Sequence, residues 1–143
     1  MADFRKLSDS VWASPQINLE DVAQAAADGV GLIINNRPDG EDPSAPQGDE
    51  IRAAAEAAGL SYLAIPIGHS GFSEVQVSQM VDALEAAEGK VLAYCRSGTR
   101  STLLWALAQA KSGVDPDEIA SAALKAGYDV TPIRPMLDML SSR

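Results

Sequence analysis

Three short apolar runs, each followed by a loop and then by a helical pattern, restrict the fold of this chain more than any other feature. The runs are VGLIINN (30–36), LSYLAIPI (60–67) and KVLAYC (90–95). Continuous apolar runs of this length are typical of strands that are buried on both faces. Because such strands alternate here with helical patterns, the sequence predicts an α/β fold with a mostly parallel sheet.

The patterns around these runs fit a single domain over residues 1–143. The segment 4–17 predicts one or two short strands, so we expect a sheet of four to five strands flanked by helices. A helix that is apolar on nearly every side, from about Thr99 to Lys111, is expected at the centre of the domain. Three other helix starts are marked by the capping residues Asn18, Ser73 and Asp115.

Three loops should meet at one edge of this sheet. They span residues 35–49, 68–73 and 95–101, and each follows a predicted strand. Ligands of open α/β sheets bind beyond the carboxyl ends of the strands, so we expect the functional site at this edge. The third loop, CRSGTRS, contains the only cysteine of the chain, Cys95, and two arginines within the next five positions.

The Cys95 loop has the composition of an anion-binding loop. A short connection between a strand and a helix directs backbone N–H groups and the helix dipole towards one point, and Gly98 can adopt a positive φ there. The same field favours the thiolate, which is the nucleophilic form of cysteine. Arg100 can offer a planar fork to an oxyanion, and Ser101 can donate a hydrogen bond to the thiolate. The other expected anion-binding residues of the loop are Arg96, Ser97, Gly98 and Thr99.

A cysteine at the end of a buried strand is more often an inert core residue than a nucleophile. Here the next residues are Arg, Ser, Gly, Thr, Arg and Ser, and core cysteines are not normally followed by two cations in a turn. We therefore interpret Cys95 as functional.

The composition excludes several other classes of function. The formal net charge of −9 opposes binding to nucleic acid or anionic lipid. A single cysteine cannot form an internal disulfide, and one cysteine with one histidine argues against a structural zinc site. No apolar stretch is long enough to span a membrane, and MADFRKLSDS lacks the apolar core of a signal peptide. We expect a cytoplasmic protein without a metal or cofactor.

Four segments, taken in order, resemble one bacterial family. They are SPQINLEDV, GLIINNRPDGE, AIPI and VLAYCRSGTRSTLLWALAQ, and they cover most of residues 10–112. Together they resemble the beta-lactamase-hydrolase-like, phosphatase-like domain family, which is also regarded as a family of bacterial sulfur transferases. The resemblance implies a dual-specificity-phosphatase-like fold rather than the rhodanese fold. It also implies an association with persulfide and sulfide oxidation, with a persulfide dioxygenase as a partner.

The resemblance assigns roles to individual residues. Cys95 matches the nucleophile, Arg100 the arginine of the phosphate-binding loop, and Ser101 the hydroxyl that follows it. The polar residues of the NNRPDGE segment are matched by Arg37, Asp39 and Glu41. For Arg37, two interpretations stay open at this point: it binds the anion, or it forms a structural pair with Glu41 or Asp42.

Two features depart from the phosphatases of the implied fold. Their loop has five residues between the cysteine and the arginine, whereas four residues separate Cys95 from Arg100, as in rhodaneses, whose smaller loop holds a persulfide sulfur. Their general acid is an Asp on the loop after a preceding strand, but the corresponding segment here, GHSGFSE, has none. His69 or Asp39 could replace it, although His69 also fits an exposed loop residue and Asp39 a turn.

These features give three hypotheses. In the first, which the loop length and the missing Asp favour, Cys95 is the nucleophile of a sulfurtransferase. It accepts sulfane sulfur from thiosulfate or glutathione persulfide and carries it as a persulfide. In the second, Cys95 forms a thiophosphate from a phosphomonoester while Arg100 holds the oxygens. In the third, the chain is a non-enzymatic thiol sensor or a binding partner of a persulfide dioxygenase.

Overall fold

The computed structural model describes residues 2–68 and 70–142. Its five strands form one sheet in the order β1-β2-β5-β3-β4, where β1 runs antiparallel to β2 and the other neighbours are parallel. The strands are β1 (Arg5–Lys6), β2 (Val11–Ser14), β3 (Val30–Asn35), β4 (Ser61–Ala64) and β5 (Lys90–Tyr94). The predicted α/β fold with a mostly parallel sheet of four to five strands is confirmed.

Within these two ranges, six α-helices cover the two faces of the sheet. They are α1 (Leu19–Ala27), α2 (Gly48–Ala57), α3 (Glu74–Ala86), α4 (Thr99–Lys111), α5 (Pro116–Lys125) and α6 (Arg134–Ser141), and a 3-10 turn at Thr131–Ile133 precedes the last. Each parallel strand is followed along the chain by a loop and then by a helix. The loops after β3, β4 and β5 therefore meet at the carboxyl edge of the sheet, as expected.

Successive side chains on the central strands point to opposite faces of the sheet, so they enter two different apolar cores. On β3, Ile33 packs with residues of α1 and α2, whereas Ile34 packs with residues of α3 to α6. On β5, Leu92 and Ala93 divide in the same way. The expected central helix is α4, which is buried along most of its length, so it fixes the loop before it against a rigid element.

The predicted helix caps are formed. Asn18 Oδ1 accepts the Asp21 N–H at 2.8 Å, and Ser73 Oγ accepts the Gln76 N–H at 3.2 Å, each within a reciprocal capping box. Asp115 Oδ1 accepts the N–H of residue 117 at 3.0 Å. The final helix begins at Arg134, directly after the 3-10 turn. No helix in the described ranges is both long and apolar enough to cross a membrane.

Candidate active site

The connection between β5 and α4 consists of residues 95–98. Gly98 has a φ of +91°, in the left-handed region that favours glycine. A Cβ at this position would also overlap the hydroxyl of Tyr128. The Gly98 carbonyl accepts the Thr102 N–H at 3.0 Å and so begins the hydrogen bonding of α4. Glycine is therefore required here for both its conformation and its small size.

Cys95 lies at the base of this loop and is fully buried. Its Sγ accepts a hydrogen bond from the Gly98 N–H at 3.1 Å. Its own N–H donates to the Ser14 carbonyl on β2 at 3.3 Å, which fixes the thiol at the carboxyl end of β5. The thiol thus lies beside the N-terminus of α4, whose first turn contains no acidic residue that would occupy the positive end of the helix dipole.

The Arg100 guanidinium is held at its outer end. Nη1 donates to Glu41 Oε2 at 2.9 Å and to the Ile67 carbonyl at 2.8 Å, and Nη2 donates to Glu41 Oε1 at 2.7 Å. A guanidinium carries five N–H donors, so these bonds leave the Nε–H and one Nη2–H, which point in the same direction. That remaining pair has the fork geometry that binds two oxygens of an oxyanion. Glu41 therefore orients Arg100 without using all of its donors.

Glu41 also connects Arg100 to Arg37. Arg37 Nε donates to Glu41 Oε1 at 2.8 Å, and Arg37 Nη1 donates to Gln16 Oε1 at 2.9 Å. The hydrogen bonds from Arg100 and then from Arg37 outweigh partial burial and lower the pKa of Glu41 from 4.5 to about 2. Glu41 is therefore ionised at neutral pH. The predicted pairing of Arg37 with Glu41 is confirmed, whereas a role for Arg37 as an anion ligand stays a prediction.

Asn36 and Ser101 form a fully buried pair behind the loop. Ser101 Oγ donates to Asn36 Oδ1 at 2.7 Å, and Asn36 Nδ2 donates to the Ile65 carbonyl at 2.9 Å. These bonds tie the start of α4 to the ends of two neighbouring chain segments. Because the single hydroxyl hydrogen of Ser101 is directed at Asn36, a hydrogen bond to the thiolate would require rotation of the hydroxyl, and that role stays a prediction.

Of the two general-acid candidates, Asp39 and His69, the structure describes only Asp39. Asp39 Oδ1 accepts the N–H of Gly48, the first residue of α2, at 3.0 Å, so this carboxylate stabilises a helix start. No hydrogen bond joins Asp39 to residues 95–101 within the described ranges. His69 lies outside the described residues.

The polar side chains at the rim of the loop face solvent. Ser97 Oγ donates to Thr99 Oγ1 at 2.9 Å, and both side chains are exposed. Arg96 is also exposed, and its carbonyl accepts the Gln16 N–H at 3.2 Å. Their roles in anion binding stay predictions. Among residues 2–68 and 70–142, no three His, Cys, Asp or Glu side chains are grouped as a metal site would require.

Two residues of this site were not singled out as site residues from the sequence. Glu41 was matched only as a polar residue of NNRPDGE, and Asn36 only as the end of an apolar run. The available signal was the position of both on the loop after β3, which shares its sheet edge with Cys95. Their contacts with Arg100 and Ser101 join residues that are 59 and 65 positions apart, and no local pattern reveals such pairs.

In this mostly parallel sheet, β5 leads through the Cys95 loop into the buried helix α4. This arrangement is typical of Cys-based, phosphatase-like α/β domains. The sequence profile of the family described as "Beta-lactamase hydrolase-like protein, phosphatase-like domain" matches residues 3–112. The chain belongs to this family, as the four sequence segments predicted.

Individual relatives agree with this assignment. A beta-lactamase hydrolase-like protein of Xylella fastidiosa is 34% identical over 125 residues, which cover 87% of this chain and 29% of that protein. The chain thus spans less than a third of the length of the curated relatives it matches. The crystal structure of a Neisseria meningitidis protein proposed to be a phosphatase is 35% identical, with a TM-score of 0.85 over 96% of this chain and 98% of that one.

The fold extends to more distant phosphatases. Tk-PTP in its active form has a TM-score of 0.77 at 20% identity, over 99% of this chain and 97% of that chain. The predicted dual-specificity-phosphatase-like fold is therefore confirmed. The comparisons support phosphatase chemistry, the alternative in the sequence analysis, better than sulfur transfer, which none of them shows.

Proposed function

We propose that this domain hydrolyses phosphomonoesters through a covalent thiophosphate on Cys95. The observation that carries the proposal is the position of the Cys95 thiol at the N-terminus of α4, near an Arg100 whose Nε–H and second Nη2–H make no hydrogen bond to the described oxygen and nitrogen atoms. Within the described ranges, the backbone N–H groups of Arg100 and Ser101 also have no hydrogen-bond acceptor in the protein. These donors can bind the oxygens of a phosphoryl group.

The reaction has two steps. The Cys95 thiolate attacks phosphorus, so that an S–P bond forms while the P–O bond to the leaving group breaks and its electron pair goes to that oxygen. A water molecule then attacks phosphorus, the S–P bond breaks, and inorganic phosphate leaves as the thiolate is restored. In both steps Arg100 and the loop N–H groups stabilise the oxygens that do not leave.

The leaving oxygen of an alkyl ester needs a proton. Glu41 cannot supply it at neutral pH, because two arginines hold its pKa near 2. Asp39 is used at the start of α2. Among the predicted candidates, we therefore propose His69 as the acid.

The loop length supports sulfur transfer as a second candidate function. Four residues separate Cys95 from Arg100, which makes a smaller cradle than that of the phosphatases. In this reaction the thiolate attacks the outer sulfur of thiosulfate, an S–S bond forms, and sulfite leaves with the electrons of the broken S–S bond. The persulfide then passes its outer sulfur to an acceptor thiol. A glutathione persulfide donor belongs to this second candidate and not to the first, and so does a persulfide dioxygenase partner, which the non-enzymatic hypothesis also includes.

One paired experiment tests both candidates. Wild type, Cys95→Ser and the surface control Ser121→Ala are assayed with an alkyl phosphomonoester, and separately with thiosulfate and glutathione persulfide. The Cys95 adduct is then identified by mass spectrometry after rapid quenching. We expect phosphate release and a thiophosphate adduct, both lost in Cys95→Ser and retained in Ser121→Ala. A persulfide adduct without phosphate release would overturn the main proposal in favour of sulfur transfer. Activity that survives in Cys95→Ser would overturn both.

A further inference from the structure

The peptide unit between Ser97 and Gly98 is held at both of its polar ends. Its N–H donates to Cys95 Sγ at 3.1 Å, and its carbonyl accepts the Tyr128 hydroxyl at 3.0 Å. In a trans peptide these two groups point in opposite directions. The Tyr128 hydrogen bond is therefore compatible with the orientation in which the N–H of this peptide faces the thiol, and not with the reverse.

The alternative orientation of this peptide would harm the thiolate. If the unit rotated by half a turn, the Ser97 carbonyl oxygen would replace the Gly98 N–H beside the sulfur. A glycine lowers the barrier to such a rotation, because its backbone is the most permissive of all residues. Some group outside the loop must then fix the peptide, and Tyr128 is in contact with it.

Tyr128 is itself held firmly. It follows α5, its N–H donates to the Ala123 carbonyl at 2.9 Å, and its side chain is buried in the core that also contains α4. The Arg5 guanidinium lies over the ring, 5.2 Å from its centroid. Burial raises the pKa of Tyr128, so the hydroxyl keeps its proton and acts as a donor. Tyr128 lies beyond residues 3–112, the range that the family profile matches.

We propose that Tyr128 is a positioning residue that stabilises the Cys95 thiolate by fixing the Ser97–Gly98 peptide with its N–H towards the sulfur. The proposal rests on the proposed function only for its effect on turnover. The state of the thiol itself can be measured without any substrate, because Cys95 is the only cysteine of the chain.

The test is Tyr128→Phe, which keeps the ring against Gly98 and Arg5 but removes the hydroxyl. The ultraviolet absorbance of the thiolate is titrated against pH, with the matching Cys95→Ser background subtracted. Loss of one hydrogen bond should move the midpoint of thiolate formation upward by about 0.5 to 1 pH unit. For the phosphomonoester reaction near neutral pH, kcat should fall about fivefold with little change in KM.

Tyr62→Phe is the matched control, since its hydroxyl accepts a hydrogen bond from Asn35 Nδ2 and, in the described ranges, forms none with residues 95–98. The charged groups around the Tyr128–Cys95 pair are Arg5 and Asp3 near the ring, and Arg100 with its partner Glu41 near the thiol. All four are unchanged in both variants. An unshifted midpoint in a folded Tyr128→Phe protein would overturn the proposal. A shifted midpoint without phosphatase activity would support it while the proposed function fails.

If Tyr128→Phe does not fold, the wild-type Gly98 amide provides a second measurement. Its proton resonance in a two-dimensional NMR spectrum should move when Cys95 ionises, because the two groups share a hydrogen bond. An amide resonance that does not respond would contradict the arrangement.

Discussion

The N-termini of α3 and α4 lie at the same edge of the sheet, but their first turns are built differently. At α3, Ser73 and Gln76 satisfy each other's backbone N–H groups, and Glu74 places a negative charge at the positive end of the helix dipole. At α4, the cap is Gly98, which has no side chain, and the first turn contains Arg100 and no acid. Helices α1, α2 and α5 resemble α3 in having acidic residues in the first turn.

The first turn of α3 is built for helix stability, whereas the first turn of α4 leaves its donors available to a ligand. Side-chain caps and first-turn acids stabilise a helix by about 0.3–2 kcal/mol, and α4 forgoes both. At α4 the Thr99 N–H donates to Ser97 Oγ at 3.3 Å. The Arg100 and Ser101 N–H groups have no acceptor in the described part of the chain, so they and the positive end of the helix dipole stay available for the Cys95 thiolate and a bound anion. The burial of α4 against the sheet and its neighbouring helices supplies the stability that its N-terminus lacks.

The largest effect on activity should come from substitution of Arg100, which lies in the first turn of α4, where α1, α2, α3 and α5 have acidic residues. Arg100→Lys removes the planar fork and the bidentate pairing with Glu41 while it keeps the positive charge. We expect kcat/KM for a phosphomonoester to fall by about 100- to 1,000-fold. Arg52→Lys, an exposed site on α2, is the control and should keep wild-type kinetics. Near-normal turnover in Arg100→Lys would mean that charge alone suffices and that Glu41 does not orient a fork.

The fold could be predicted from the sequence because its determinants are local. The apolar runs and helix caps each act within a few residues, and each predicted strand and helix is present. The exception is the run 60–67, where the strand ends at Ala64. There the N–H groups of Ile65 and Ile67 donate to the Asn35 and Asn36 carbonyls beyond the strand ladder. The prediction could not anticipate this departure, since it depends on the partner strand.

Only the part of the candidate site that lies within one short segment of the sequence could be predicted. The arrangement of Cys95, Gly98 and Arg100 follows from one strand–loop–helix segment. Glu41, Asn36 and Tyr128 reach that segment from distant parts of the chain. The NNRPDGE segment marks Glu41 and the loop after β3 contains Asn36, but no local pattern shows that these residues contact the Cys95 loop, and none marks Tyr128. The positive φ at Gly98 was predicted, but the need for space beside Tyr128 was visible only in the structure.

Substitution of the α4 cap should cost more stability than substitution of other glycines. Gly98→Ala combines a strained positive φ with overlap against Tyr128, so we expect the free energy of unfolding to fall by about 2–4 kcal/mol. Gly59→Ala has a similar φ of +84° and open space around its Cβ, so it should cost about 1 kcal/mol. Urea unfolding measures both. Equal losses would show that the loop can move away from Tyr128.

The Glu41 pair should give α4 a stabilising contact that depends on pH. The folded-state pKa of Glu41 is about 2, below its ordinary 4.5. A lowered carboxyl pKa stabilises the fold above pH 4.5, and that contribution is lost as the pH falls towards 2. Wild type should therefore be about 1–2 kcal/mol more stable than Glu41→Gln at neutral pH, and the difference should shrink as Glu41 becomes protonated.

Urea unfolding of both proteins from neutral pH down to about pH 2.5 follows this difference. Glu56→Gln, at an exposed site on α2, is the matched control. A difference that stays constant through the acid range would show that Glu41 contributes through packing rather than through its charge.

The smallest effect is expected from Thr99→Asp, which tests the comparison of α3 and α4 most directly. This substitution should increase stability but decrease activity. Thr99 and Glu74 are the first residues of α4 and α3, and both are exposed. Thr99→Asp gives α4 the acid that α3 already has, so it should raise the free energy of unfolding by about 0.3–1 kcal/mol. The same charge opposes the thiolate and a bound anion, so kcat/KM should fall several-fold, whereas the uncharged Thr99→Asn should lower it less. Conversely, Glu74→Gln should destabilise the protein by a similar amount without changing its kinetics. If Thr99→Asp leaves turnover unchanged, the positive end of α4 does not act on the reacting groups, and its missing cap has another cause.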